Sequence, residues 1–257
     1  MSFSEVQIAV FIVAPILAGA VKGIAGFGFS LVGTSLLAVF LKPSQAVTLF
    51  IIPLMAIEVE LLNELTWNQF RHAVRRFRYY LVAAAAGTVL GTLALQELPG
   101  WPIKAAIGLM TTGFALQRTG LADGLVDTMS HLRPEAGEVT KSLLGFSSGV
   151  VFGATNIGVQ FTAYLKSLEL GRSKFLGVLA MVAFGVSVIR IGLSLSLGLF
   201  RSTQGVAASI GMAAVSLVSV YVFTRLGDRI PKSYRERLAT ALLLIIGLRL
   251  LLSALSV

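Results

Sequence analysis

Cysteine is absent from this sequence, which removes a disulfide framework, a thiolate metal site and a redox thiol together. Charge is scarce as well. Asp, Glu, Lys and Arg make up 13% of the 257 residues, against roughly 25% in an ordinary soluble domain. Only two histidines occur, His72 and His131, both between apolar runs, and no H-E-x-x-H is present, so no metal or cofactor site is expected. There is no G-x-x-x-x-G-K-[ST] either, and hence no P-loop ATPase in this chain. Gly23, Gly26 and Gly28 lack the G-x-G-x-x-G spacing and follow no strand, which excludes a dinucleotide fold. No aspartate lies in an apolar run, which argues against an intramembrane aspartyl protease. The N-terminus has no basic n-region, so no cleaved signal is expected.

What fills the sequence is apolar. Hydrophobic residues make 56% of the chain and the mean hydropathy is +0.86, the composition of an all-α polytopic membrane protein. The 21 Lys and Arg against 12 Asp and Glu could suggest nucleic acid, but the cations cluster between apolar runs, as they do in cytoplasmic loops. Six runs have the length of a membrane helix: 44–63, 79–96, 102–118, 174–198, 203–224 and 238–256. Arg71, Arg75, Arg76 and Arg78 place the loop after Asn63 inside, and Arg225, Arg229, Lys232, Arg235 and Arg237 do the same for 225–237. Links 97–101 and 199–202 fit the outer face.

Two further apolar regions, 5–41 and 141–166, precede the two groups of three spans. With the loops oriented as above, 141–166 must start and end inside, and 5–41 must start and end outside. Each reads as a hairpin. Legs 141–152 and 157–166 would each rise only ~15–20 Å at about 1.5 Å per residue, short of a core of roughly 30 Å, whereas the leg 5–24 is long enough to cross. The halves then repeat a hairpin plus three spans in opposite orientation: 1–120 and 141–257, joined by a cytoplasmic linker at 121–140. Inverted repeats with interrupted helices are a common plan of secondary transporters.

The chemistry on offer sits in the two hairpins. Gly19, Gly23, Gly26, Gly28 and Gly33, with Lys22 among them, interrupt the first region, and Gly145, Gly149, Gly153 and Gly158 the second. Each second leg would begin at a buried tip, near Phe27–Ser30 and near Ile157–Gln160. Its free N–H groups and partial positive charge suit an anion, and two such tips meeting from opposite faces would form a site. Gly26, Phe27, Gly28, Gly153 and Gly158 would admit an anion to the backbone; Ser30, Ser147, Ser148, Thr155, Asn156 and Gln160 would supply donors, and Lys22 a full charge. Other readings stand beside these: glycines as packing contacts, Lys22 snorkelling to the surface, Asn156 as a tip cap. Arg190, within 174–198, escorts an anion or pairs with a carboxylate. Glu58 carries a coupling proton, or it sits in a salt bridge or near the inner interface.

These two glycine segments and the two-fold plan resemble the sulfite exporter TauE/SafE family of membrane permeases over nearly the whole chain. The resemblance rests on Gly19-x-x-x-Gly23-x-x-Gly26-x-Gly28 and on Gly145-x-x-x-Gly149-x-x-x-Gly153-x-x-x-x-Gly158 followed by Tyr164-Leu165. It implies export of sulfite, sulfonates or related anions across the bacterial cytoplasmic membrane. The family often has a Gly-Gly-Pro-like tip where Asn156-Ile-Gly stands here, and a neutral residue where Lys22 stands. The expected function is therefore a secondary transporter of small sulfur oxyanions working by alternating access, with the bilayer and a small anion as partners and a homodimer allowed for. An anion channel of the same architecture is the alternative. The absence of a nucleophile–base constellation speaks against an enzyme.

Overall fold

The computed structural model describes residues 3–62, 71, 74–119, 137–166, 172–227 and 229–255, and among them all regular structure is helical. The first hairpin is α1 (Glu5–Ala25) and α2 (Phe29–Phe40). It is followed by α3 (Pro43–Leu49) and α4 (Ile51–Leu62), then α5 (Arg78–Glu97) and α6 (Gly100–Arg118). The second hairpin is α7 (Glu138–Thr155) and α8 (Val159–Lys166), followed by α9 (Arg172–Ser196), α10 (Thr203–Gly227) and α11 (Lys232–Leu255). The linker expected at 121–140 and the loop after Asn63 lie largely outside the described residues, as do 167–171 and His72.

Among the described residues six helical segments are long and apolar enough to cross a membrane: α1, the pair α3–α4 over Pro43–Glu60, α5, α9 over Gly177–Ser196, α10 and α11. The 21 residues of α1 rise about 32 Å, the length of a full crossing, as its sequence allows. The 18 residues of α7 rise about 27 Å, far more than the short leg foreseen for 141–152. Only the return legs are short, 12 residues in α2 and 8 in α8. Conversely α6 keeps the length of a span, 19 residues, while Lys104 and Gln117 reduce its apolarity and it drops out of the set.

Local sequence sets the ends. Ser4 and Gln7 form a capping box on α1, Ser4 Oγ accepting from the Gln7 N–H at 3.3 Å and Gln7 Oε1 accepting from the Ser4 N–H at 3.1 Å. The helix runs unbroken through Gly19, Lys22 and Gly23, and stops only at Gly26, which caps it at φ +81°. Gly28 follows at φ +84° and opens α2. Two left-handed residues within three positions turn the chain back on itself, a conformation that glycine adopts without a Cβ penalty. In the second hairpin Asn156, at φ +64°, closes α7. Asparagine is the usual substitute for glycine there.

The remaining glycines of both segments pack helices. A Cβ on Gly19 would lie 2.6 Å from Ser219, and one on Gly23 would lie 2.7 Å from the Thr224 nitrogen, while Gly227 rests on Ile24. Residue numbers rise together, so α1 and α10 are parallel. In the same way Gly145, Gly149 and Gly153 of α7 meet Tyr80, Ala84 and Thr88 of α5, and Gly87 and Gly91 of α5 meet Phe146 and Val150. That contact too is parallel, with small residues every fourth position letting two backbones touch. Gly108 against Leu251 and Gly247 against Thr112 make α6 and α11 antiparallel. The remaining large contact joins α4 to α9.

Gly149 is among the strictest of these positions, because its missing Cβ would overlap the Ala84 carbonyl oxygen. Gly149→Val is expected to cost about 1–3 kcal/mol through overpacking. Thermal unfolding in detergent should show a lowered midpoint, while Gly113→Ala, where a Cβ meets nothing within 4 Å, leaves the midpoint in place.

Candidate functional site

The tip of the second hairpin is the most polar part of the buried interior. Asn156 is wholly buried. Its Nδ2 donates to Thr34 Oγ1 of α2 at 3.1 Å and to the Val47 carbonyl of α3 at 2.8 Å. Its Oδ1 accepts a hydrogen bond from Nη1 of Arg190 in α9. Nη2 of Arg190 donates to the Gly153 carbonyl at 3.1 Å, and the guanidinium lies 5.2 Å from the Phe152 ring centroid. Arg190 has no exposed surface. Each member satisfies a need of another: α7 ends with unpaired carbonyls and partial negative charge, and a cation on an apolar helix requires oxygen acceptors.

No carboxylate neutralises this cation directly. The described residues contain one ion pair within 4.0 Å, Lys232 with Glu236. Glu58 of α4, 5% exposed, is close enough to Arg190 for the charges to interact but lies beyond that limit. Its Oε2 instead accepts from Ser187 Oγ at 2.9 Å. Three donors are buried without a hydrogen-bond partner around the same helices: Arg190 Nε, Thr48 Oγ1 beside Val47, and Ser194 Oγ one turn beyond Arg190. The arrangement is a desolvated guanidinium held by neutral oxygens, with hydroxyls to spare.

The other residues singled out in the sequence divide. Thr155 donates to the Val151 carbonyl at 2.7 Å, accepts from the Ile157 N–H at 3.2 Å, and meets Met110 Sδ of α6 at 3.9 Å. Gln160 Nε2 reaches the same sulfur at 3.9 Å, while its Oε1 is buried and unpartnered. Gly153 contributes its carbonyl, and Gly158 packs on Phe161 and Phe152. Ser148 is buried two turns before the tip. Ser147 donates to its own helix at the Leu144 carbonyl, 3.2 Å away.

The first tip is built differently and does not join this cluster. Lys22 Nζ donates to the Gly26 carbonyl at 3.3 Å, its nearest acidic influence is Glu60, and no hydrogen bond ties it to the second hairpin. Arg235 of α11 donates to the Ile24 carbonyl at 3.2 Å. Phe27 lies 5.7 Å from Phe114 and 4.0 Å from the Arg118 guanidinium. Gly26 and Gly28 shape this turn, and Ser30 stands half-buried at the start of α2. The tips touch α6 one turn apart, the second at Met110 and the first at Phe114.

Thr34, Thr48, Ser187 and Ser194 were not singled out from the sequence. Ser187, Arg190 and Ser194 follow an i, i+3, i+7 spacing that places them on one helix face, a signal that was available. Thr34 and Thr48 are single hydroxyls in apolar runs, and nothing local distinguishes them from the hydroxyls that bond their own helix, as Thr92 does with the Thr88 carbonyl.

A profile of the sulfite exporter TauE/SafE family matches residues 11–250, nearly the whole chain, and the protein belongs to that family of multi-pass membrane transporters. No curated protein and no solved structure matches the chain at a significant level.

Asn156 can be tested apart from the turn it occupies. Asn156→Gly keeps the left-handed cap but removes both acceptor and donor, leaving a buried guanidinium short of a partner at a cost of about 3–5 kcal/mol. Asn156→Gln keeps the amide at the wrong length on a residue that disfavours positive φ. Both are expected to lower the unfolding midpoint in detergent. A midpoint unchanged in Asn156→Gly would show that the Arg190 contact contributes nothing to stability.

Proposed function

We propose that this chain exports small sulfur oxyanions, of the sulfite or sulfonate class, across the bacterial cytoplasmic membrane, with Arg190 and the Asn156 tip as the binding site. The observation that carries this reading is a fully buried Arg190 held only by neutral oxygens. A guanidinium keeps its charge and presents several donors in one plane, which suits a tetrahedral or pyramidal oxyanion. The unpartnered Nε of Arg190 and the hydroxyls of Thr48 and Ser194 are the groups that would replace the hydration an anion loses.

The inverted repeat belongs to the same proposal, with 1–120 and 141–257 as its halves. It is supported by the way helices pair: the first leg of each hairpin packs in parallel on the second long span of the opposite half, α1 on α10 and α7 on α5, while α6 meets its own counterpart α11 antiparallel. Movement of one exchanged pair against the other would open the tip region to either side in turn. Lys22, Gly26, Phe27, Gly28 and Ser30 then act in the path beneath the site rather than in it. A membrane potential negative inside favours anion exit by about 2.3 kcal/mol per charge at 100 mV, so export needs no coupling ion. Glu58, hydrogen-bonded to Ser187 beside Arg190, would take up a proton as the anion neutralises the cation and release it as the anion leaves.

Flux into proteoliposomes of the purified protein tests this, comparing sulfite, thiosulfate, sulfoacetate, sulfate and chloride with and without an imposed potential. Saturable, mutually competitive uptake of sulfite or a sulfonate is expected, falling by about tenfold or more in Arg190→Gln, which keeps donors but loses the charge. Rapid unsaturable chloride flux would replace the carrier with a channel, and full sulfite flux in Arg190→Gln would remove the site. In Glu58→Gln, the pH dependence of flux is expected to flatten. An unaltered profile sinks the proton role.

A further inference from the structure

We infer that the end of the α5–α7 pair where both helices begin is a binding site for an anionic phospholipid, with the phosphate among arginines and an acyl chain along the outer surface of α7. Arg75, Arg76, Arg78 and Lys141 line a cavity of about 220 Å³ floored by the stacked rings of Tyr80 and Tyr164, whose centroids are 4.4 Å apart. Among the described residues none of these four cations has a carboxylate within 4.0 Å. The Arg78 guanidinium is turned onto Tyr79, donating to its hydroxyl at 2.8 Å with 4.6 Å to the ring centroid, a neutral partner that leaves the charge uncompensated. The single carboxylate of the lining is Glu138, so cations outnumber anions four to one. α5 and α7 also start here, in parallel, and add their partial positive ends.

A free oxyanion would need nothing more than that cavity. A second feature points to a lipid. A groove of about 480 Å³ adjoins the cavity, sharing Tyr79 and Glu138 with it, and continues along Ala83, Val139, Leu143 and Phe146. Val139 and Leu143 are 74% and 64% exposed, and the stretch from Val139 to Phe146 advances about 10 Å along the helix axis. The groove therefore leads from the loop level into the depth of the apolar spans. Basic pockets between membrane helices on the cytoplasmic side, the side to which Arg75, Arg76 and Arg78 assign this end, are where anionic headgroups bind. A phosphate placed in the cavity sets its glycerol and acyl chain at the mouth of the groove. This site lies at the start of α7, where Glu138 precedes Asn156 by 18 residues, and does not depend on what the tip binds.

Native mass spectrometry of the full chain in detergent tests the inference, with dioleoyl phosphatidylglycerol and dioleoyl phosphatidylcholine added at equal concentration. Phosphatidylglycerol is expected to be retained at least tenfold more. The preference should fall about tenfold in the double variant Arg75→Gln, Arg76→Gln and be unchanged in Arg225→Gln on α10, while retention of phosphatidylglycerol itself should fall at least threefold in Leu143→Ser. Glu138→Gln, which removes the one repelling carboxylate, should strengthen retention about threefold and keeps the test decisive if the double variant does not fold. Equal retention of the two lipids overturns the proposal. So does displacement of phosphatidylglycerol by equimolar glycerol 3-phosphate or sulfate, which would make the cavity a site for free oxyanions, and so does unchanged retention of phosphatidylglycerol in Leu143→Ser.

Discussion

The structure turns on the partnership between the Arg190 guanidinium and the end of α7. A cation in the middle of a 25-residue apolar helix has neither water nor lipid oxygen to solvate it. The carbonyls at the end of a helix equally lack donors. Bringing the two together satisfies both, and it fixes where α7 must stop. Asn156 extends the bond outward, because the amide that accepts from Arg190 donates to Thr34 and Val47. Four elements from the two ends of the chain are thereby held by one side chain: α9, the tip of α7, α3 and α2. Replacing any member leaves a buried polar group without its partner, which is why the cluster tolerates so little change.

The two hairpins answer the same need with opposite consequences. At the first tip Lys22 reaches forward to its own helix end and Arg235 comes from α11 to the carbonyl of Ile24. Those cations cap a helix near the end of the long spans, where Arg118 also lies against Phe27. At the second tip the capping cation comes from inside the bundle and has no exposed surface. A charge of the first kind is compatible with an ordinary interface. A charge of the second kind, with Glu58 held nearby on a serine rather than on the arginine, keeps a guanidinium nitrogen unpartnered, and an anion is what such a group would stabilise. The asymmetry thus concentrates the proposed chemistry in one half of a chain whose helix pairing treats both halves alike.

Glycine does two separate jobs here. Spaced by four, as at Gly145, Gly149 and Gly153, it lets α7 lie directly on the backbone of α5. At Gly26 and Gly28 it permits positive φ and ends a helix that its own apolar sequence would continue. Where Asn156 takes the capping position, the chain gains a side chain at the turn, and that side chain is the hub of the buried network. One substitution relative to a glycine tip thus converts a bare turn into a hydrogen-bonding site.

How much of this was legible in the residues follows from the range over which each feature is decided. Composition and run length determine that the chain is helical and membrane-spanning, because in lipid a backbone must satisfy its own hydrogen bonds. Residues able to adopt positive φ, at Gly26, Gly28 and Asn156, mark the two tips from sequence for the same local reason. The first leg of the second hairpin was misjudged because a glycine inside an apolar run reads as a break, whereas packing against α5 carries α7 past Gly153. What Arg190 and Lys22 do could not be settled locally at all. Both are single cations in glycine-rich apolar segments, and helix periodicity gives the face a side chain occupies but not what that face meets. Arg190 finds its oxygens 34 and 37 residues away, and Asn156 finds its own 109 and 122 residues away. Lys22 finds an acceptor four residues on. The sequence by itself determined the solvent, the helices and the turns; only the tertiary structure decided which cation is buried, because burial is a property of the neighbours that folding brings together.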